Sequence, residues 1–217
     1  QVGYQKVETN ARGRILQVIE QVDPVPGKDL VLHLDLRLQK AAAKAMEGYR
    51  GAVVAIDVAT GGILTQYSNP SYNPNSFVTG ISHKEYSGLR KNPDLPLFNR
   101  AIRGQYPPAS TLKPFLGLSF LEAGAVTWKD KIADNGWYKL ENDDRLYRDW
   151  KRTGHGYVDL HDAIVESCDT YFYDAAFKTT TDVISPFLAQ FGFGRNMTLD
   201  VPNALSGLLP DREWKKD

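Results

Sequence analysis

Two short runs hold the residue types that covalent chemistry needs. The first is Pro107-Pro108-Ala109-Ser110-Thr111-Leu112-Lys113-Pro114. A serine hydroxyl is a poor nucleophile until a neighbouring base takes its proton. A lysine does this when burial and nearby cations bring its pKa toward neutrality. A spacing of three puts Ser110 and Lys113 on one helix face, with the amine in reach of the hydroxyl. Paired prolines suit a helix start, where a missing N–H costs nothing. Ser110 is therefore expected in the first turn, among free amides that favour developing negative charge. The bare Ser-x-x-Lys pattern arises by chance about as often as it occurs here, so spacing alone favours the plainer reading of a capping serine and a solvated lysine. The second run is Ser167-Cys168-Asp169, 57 residues beyond Ser110.

Cys168 is the one cysteine of the chain. It has no internal disulfide partner and is a buried small hydrophobe, a reactive thiol or a metal ligand. Upstream lie Asp134, Asp149 and His155, in a polar, mostly irregular segment. One thiolate, one imidazole and two carboxylates make an acceptable tetrahedral zinc shell. Spacing alone favours the plainer reading of a free thiol, a surface histidine and two loop carboxylates. His161 competes as a ligand. His155 is preferred because Gly154 and Gly156 leave its loop free to wrap an ion.

These residues need a frame. The 217 residues carry 26 basic and 26 acidic side chains, 42% hydrophobic and 24% charged residues. That is ample chain for a core. It excludes a disordered tail, a collagen-like fibre, a coiled coil and, for want of a basic excess, a dedicated nucleic-acid binder. No run approaches the roughly 20 apolar residues that span a bilayer. Gln1-Val2-Gly3-Tyr4 has no signal-peptide character, so an exported parent would have lost its export segment here. Asp29 to Leu38 alternates with period two, as a strand does, and Gln39 to Tyr49 reads as a helix after the Pro24-Val25-Pro26-Gly27 turn. Ala52 to Asp57 and Ile63 to Tyr67 read as a hairpin turned at Ala59-Thr60-Gly61-Gly62, with one glycine at positive φ. A helix is expected from about Ala109 to Ala123, helical periodicity again from Leu160, and another helix from Asp182 to about Phe191. Strands followed by a long helical stretch point to an α+β fold. Tyr106, Trp150, Tyr171 and Phe172 read mainly as core, with a peptide groove as the alternative. Arg100 and Arg103 suit substrate carboxylates or a solvated face equally. His33, in the expected strand, and His83, in a loop, have no evident role.

The order of hairpin, Asn/Pro-rich loop and Tyr-Pro-Pro-Ala-Ser-Thr-Leu-Lys-Pro resembles the class B penicillin-binding proteins, the active-site-serine transpeptidases. Thr60-Gly-Gly-Ile-Leu-Thr-Gln-Tyr-Ser-Asn-Pro, Asn73-Pro-Asn-Ser-Phe, Tyr147-Arg-Asp-Trp-Lys, Gly154-His-Gly and Phe191-Gly-Phe-Gly resemble their elongation-specific members in particular, over nearly the whole chain. The resemblance implies Ser110 as acylated nucleophile, Lys113 as general base, and Ser167 and Asp169 as the second motif of the proton and orientation network. The Ser110 amide would supply half of an oxyanion hole. It implies a penicillin-binding transpeptidase fold, an antiparallel sheet flanked by helices, incomplete in this chain. Residues 1–45 would end a non-catalytic pedestal and linker, and 46–217 would begin the transpeptidase domain. The third motif, Lys-Ser/Thr-Gly, is missing; Lys178-Thr179-Thr180 lacks the glycine and reads as a helix end, so the fragment alone is expected to be inactive. Elongation-type members with cysteine at this place imply a closed, structural zinc on Asp134, Asp149, His155 and Cys168, and no cofactor for catalysis. Stem peptides, β-lactams, a glycosyltransferase of the shape, elongation, division and sporulation (SEDS) family and elongation-complex proteins are the implied partners. An upstream inner-membrane anchor and a periplasmic catalytic domain are implied as well. The rivals are a serine β-lactamase or D,D-carboxypeptidase, for which no deacylating feature is evident, and a non-catalytic penicillin-binding sensor or scaffold.

Overall fold

The computed structural model describes residues 1–78, 80–198 and 200–216; Asp217, the end of the expected catalytic region, lies outside them. The chain divides into two units, Gln1–Gly48 with Ala52–Tyr67, and Tyr49–Gly51 with Ser68–Asp217.

In the first unit, strands β1 (Tyr4–Thr9) and β2 (Ile15–Val22) form an antiparallel ribbon from Tyr4 opposite Val22 to Thr9 opposite Ile15. Asn10 closes its turn by accepting the amides of Arg12 and Arg14. The alternating run 29–38 is not a strand. Residues 29–35 are irregular, and helix α1 begins at Leu36 and ends at Ala45. Two local forces override the period-two pattern. The Asp35 carboxylate caps the helix through the Arg37 amide at 2.8 Å, and the Ala- and Lys-rich run that follows has high helix propensity. Strands β3 (Gly51–Ile56) and β4 (Ile63–Asn69) form the expected hairpin, with Gly61 at φ +74°. Gln39 of α1 fastens onto β4, donating to the Gln66 carbonyl and accepting from the Thr65 hydroxyl. His33 sits in the irregular run, its ring beneath Gly62, where a Cβ would collide with it.

The second unit begins with helix α2 (His83–Lys91), capped by Ser82, so His83 opens a helix rather than sitting in a loop. Helix α3 (Arg100–Arg103) follows. Arg100 is buried and donates to the carbonyls of Asp94 and Leu95, a loop-bracing role in place of the substrate-facing or solvated alternatives. The expected helix from Ala109 is split into a 3-10 turn, Ala109–Leu112, and helix α4, Lys113–Glu122. The polar segment after it holds four short strands: β5 (Ile132–Asp134), β6 (Trp137–Tyr138), β7 (Tyr147–Arg148) and β8 (Gly156–Val158). Antiparallel pairs join β5 to β8 and β6 to β7. Helices α5 (Leu160–Val165), α6 (Asp169–Thr179) and α7 (Thr181–Ala189) complete the unit.

The core of this unit gathers Phe120 of α4, Val158 of β8, Leu160 and Ala163 of α5, and Tyr171 and Phe172 of α6 around Cys168. Each fully buried large apolar side chain contributes about 1.5–3 kcal/mol relative to exposure. This packing fixes α4 against α6, and with it Lys113 against the turn that precedes α6.

Candidate active site

Lys113, the first residue of α4, is buried, and its amine has three partners. Nζ donates to the Ser167 carbonyl at 2.7 Å, the Ser167 hydroxyl at 3.1 Å and Asp169 Oδ1 at 2.6 Å. The ammonium also lies 5.3 Å from the centre of the Phe172 ring, over its negative face. Ser167 Oγ donates to Ser110 Oγ at 2.8 Å. Lys113 therefore meets Ser110 through Ser167, whereas the three-residue spacing predicts a direct approach. Ser110 lies in the 3-10 turn, while Lys113 opens α4 with its amine held by Ser167 and Asp169 of the neighbouring turn. Ser110 itself is exposed.

Backbone strain accompanies both serines. Ala109 has φ +50° and Ser167 φ +54°, a region that costs a non-glycine residue about 1 kcal/mol or more. Thr111 closes the turn around Ser110 by donating its hydroxyl to the Pro108 carbonyl. The Cys168 amide donates to the Ala163 carbonyl at 2.9 Å, pinning the turn at Ser167 to the end of α5.

On the other side of that turn lies a second polar cluster. Cys168, Asp134, Asp149 and His155 each present a ligand atom, all within 4.8 Å of one another. Asp134 Oδ2 accepts from the His155 amide at 2.8 Å, faces His155 Nδ1 at 2.7 Å and accepts from Cys168 Sγ at 3.5 Å. Its Oδ1 takes the Gly136 amide. Gly136 and Gly154 make this loop possible. A Cβ on Gly154 would lie 2.1 Å from the Asp134 carbonyl oxygen, and one on Gly136 2.3 Å from that of Arg152, with both residues at positive φ. Burial pushes the Asp134 carboxyl up, but the nearby Thr170 hydroxyl, the Gly136 amide and His155 outweigh it and hold it at about 2. Burial drives the Cys168 thiol up to about 12, against a lowering hydrogen bond from the Tyr171 amide and with Asp134 and Asp149 adding to the rise. His155 Nε2 is buried without a hydrogen-bond partner among the described residues. An orphaned imidazole nitrogen beside a thiol and two carboxylates fits a divalent cation of the zinc type, which would ionise the thiol.

Asp149 does more than face this cluster. Its Oδ2 accepts from the amides of Asp169 at 2.7 Å and Thr170 at 3.3 Å, and its Oδ1 from Lys151 at 2.9 Å. The side chain at the cap position, Cys168, makes no capping bond. Sequence reasoning missed this role because the capping residue lies 20 positions upstream. The exposed Trp150 next to it donates its indole N–H to the Glu166 carbonyl at 2.9 Å, and Tyr106 is exposed too, while Tyr171 and Phe172 are core. His161 is exposed on α5 beside Asp162 and stands outside the four-residue cluster. Lys178-Thr179-Thr180 closes α6, with the Thr179 hydroxyl bound to the Ala175 carbonyl.

A serine in a strained turn, a buried lysine and a Ser-x-Asp turn, on an α+β frame, define a class. The chain belongs to the penicillin-binding protein transpeptidase domain family, whose model matches residues 51–217. Over 213 residues it is 49% identical to the peptidoglycan D,D-transpeptidase MrdA of Acinetobacter baumannii, covering 98% of this chain and 32% of that protein. It matches the crystal structure of Pseudomonas aeruginosa PBP2 in complex with WCK 5153 at TM-score 0.85 and 52% identity, covering 90% of this chain and 44% of that one. The complex between PBP2 and MreC from Helicobacter pylori matches at TM-score 0.83 and 39% identity, covering 98% of this chain and 39% of that one. The chain thus spans about a third of the length of the curated relatives it matches. Its fold is that of the penicillin-binding transpeptidases, α+β as the order of elements suggests.

Proposed function

We propose that this chain carries the nucleophile half of a peptidoglycan D,D-transpeptidase that crosslinks stem peptides during cell elongation. The observation that carries the reading is the Ser110 Oγ–Ser167 Oγ–Lys113 Nζ chain, with links of 2.8 and 3.1 Å. With all three N–H groups engaged, Lys113 is an ammonium and the hydroxyl chain points toward Ser110. Transfer of one Nζ proton to the Asp169 carboxylate, 2.6 Å away, frees an acceptor, and both hydroxyls then reverse. Ser110 donates to Ser167, Ser167 to Lys113, and Ser110 Oγ attacks the carbonyl carbon of a D-Ala-D-Ala peptide. The C–N bond breaks, D-Ala leaves with the relayed proton, and an acyl-serine ester remains. The amine of a second stem peptide attacks this ester, loses its proton to the same relay and restores Ser110. A β-lactam enters by the same attack and stays as the ester. No Lys-Ser/Thr-Gly triplet occurs among these 217 residues.

Asp134, Asp149, His155 and Cys168 would hold a structural zinc, supported by the orphaned His155 Nε2. A zinc with four protein ligands serves to tie the loop to the Ser167 turn and takes no part in acylation. The elongation role and a partner of the MreC kind rest on the likeness to the PBP2–MreC complex. A SEDS-family polymerase, an upstream membrane anchor and a periplasmic setting follow the family reading; among the described residues no helix is long and apolar enough to cross a membrane.

Intact-protein mass spectrometry with and without benzylpenicillin tests the proposal on the full polypeptide that carries this chain. A penicilloyl adduct should map to Ser110 and vanish in Ser110→Ala. An adduct elsewhere, or none, would refute it.

A further inference from the structure

We infer that Asp149 is a positioning residue for acylation, acting through the first turn of α6 rather than through a bound metal. The inference rests on the acyl-serine reading above. Asp149 is 2% exposed, and one of its oxygens is committed to the amides of Asp169 and Thr170. Those amides are among the orphan donors that every helix start must satisfy. Cys168 occupies the cap position with extended backbone at φ −65°, ψ 112°, but its side chain turns to Asp134 and leaves them unserved.

What this cap holds is the acylation relay. Asp169 is the first residue of α6, and its carboxylate lies 2.6 Å from Lys113 Nζ. Ser167, two residues earlier, sits at φ +54°, a conformation it keeps only while both neighbours are anchored. On the α5 side the anchor is the Cys168 amide on the Ala163 carbonyl; on the α6 side it is Asp149. When the cap goes, the first turn of α6 frays, Asp169 shifts from Lys113, and the Ser167 bridge to Ser110 loses its fixed length. The two carboxylate oxygens have different partners. Oδ1 looks toward His155 Nδ1 at 3.7 Å, and Oδ2 takes the amides.

That division makes the roles separable. The acylation rate constant and the non-covalent dissociation constant for benzylpenicillin are measured in the full polypeptide, with metal content and melting temperature alongside. Asp149→Asn keeps an amide oxygen for α6, whereas Asp149→Glu keeps the charge but moves the carboxylate by one methylene, off the two amides. Asp149→Glu should lose at least tenfold in acylation rate with a dissociation constant within threefold of the parent. Asp149→Asn should lose no more than about fivefold, even without bound metal, and parent protein stripped by a chelator should behave likewise. A stripped parent, or a folded Asp149→Asn, that falls as far as Asp149→Glu would overturn the inference in favour of metal ligation. An Asp149→Glu that acylates at the parent rate would overturn it outright. Should Asp149→Glu not fold, Asp149→Ser, too short to reach the amides, takes its place under the same thresholds. Absence of any adduct in the parent would instead count against the acyl-serine reading.

Discussion

Two polar clusters meet back to back at Ser167-Cys168-Asp169. Ser167 and Asp169 turn to Lys113, and Cys168 turns to Asp134. Around Lys113 the ammonium has a carbonyl, a hydroxyl and a carboxylate for its three donors. Around Asp134 a buried imidazole nitrogen has no partner, and the thiol is driven up to about 12. A buried polar network with every member paired sustains itself; one with an open position is costly until something fills it. The contrast separates a cluster whose donors are all paired from one with an open position.

The largest expected effect tests the closed side. Lys113→Ala removes the proposed base, and acylation by benzylpenicillin should fall by about 10²- to 10⁴-fold. A loss under tenfold would show that the hydroxyl chain does not run to this amine. Next is the open side: Asp134→Ala removes the carboxylate that makes four hydrogen-bond contacts in a buried site and should cost about 3 kcal/mol in denaturant unfolding. A change below 1 kcal/mol would mean that the cluster is not organised around this carboxylate. Smaller again, zinc at a hundredfold excess over its dissociation constant should add about 2.7 kcal/mol of stability, read as a higher melting temperature that a chelator abolishes. An unmoved melting temperature would mean that the open position takes no ion.

The smallest effect lies at Tyr171, whose hydroxyl is buried without a hydrogen-bond partner among the described residues. Tyr171→Phe removes an unpaired group and should leave stability at neutral pH within about 1 kcal/mol. Burial pushes the Tyr171 phenol up to about 12 from 10. Its contribution is complete below the unfolded value near 10 and is lost as pH climbs toward 12, because the unfolded chain ionises first. The slope of stability between those values should flatten in Tyr171→Phe.

What the residues announce and what they conceal divide along physical lines. Ser110, Lys113, Ser167 and Asp169 are short motifs, and the fold assembles them; so too Asp134, Asp149, His155 and Cys168, picked by donor chemistry. Legible spacing failed where the backbone departs from ideal geometry. Lys113 bonds Ser167, 54 positions on, instead of Ser110, and no pattern of residue types marks that partner. The run 29–38 alternates like a strand yet finds no ladder partner, and the Asp35 cap starts a helix inside it. Arg100 and Asp149 bind backbone groups, which every residue possesses, so their partners leave no trace in composition. Gly136 and Gly154 were visible as glycines, but only the neighbouring carbonyls explain them.

The left-handed backbone at Ala109 and Ser167 has a consequence for directed evolution. Glycine adopts that conformation without penalty, so Ala109→Gly relieves a local cost on one side of the Oγ–Oγ contact while loosening the chain that sets its length. A library sorted by heat resistance alone would retain such a change, and one sorted by penicillin capture would discard it. Running both selections on one pool would locate the positions at which rigidity and reactivity demand opposite residues.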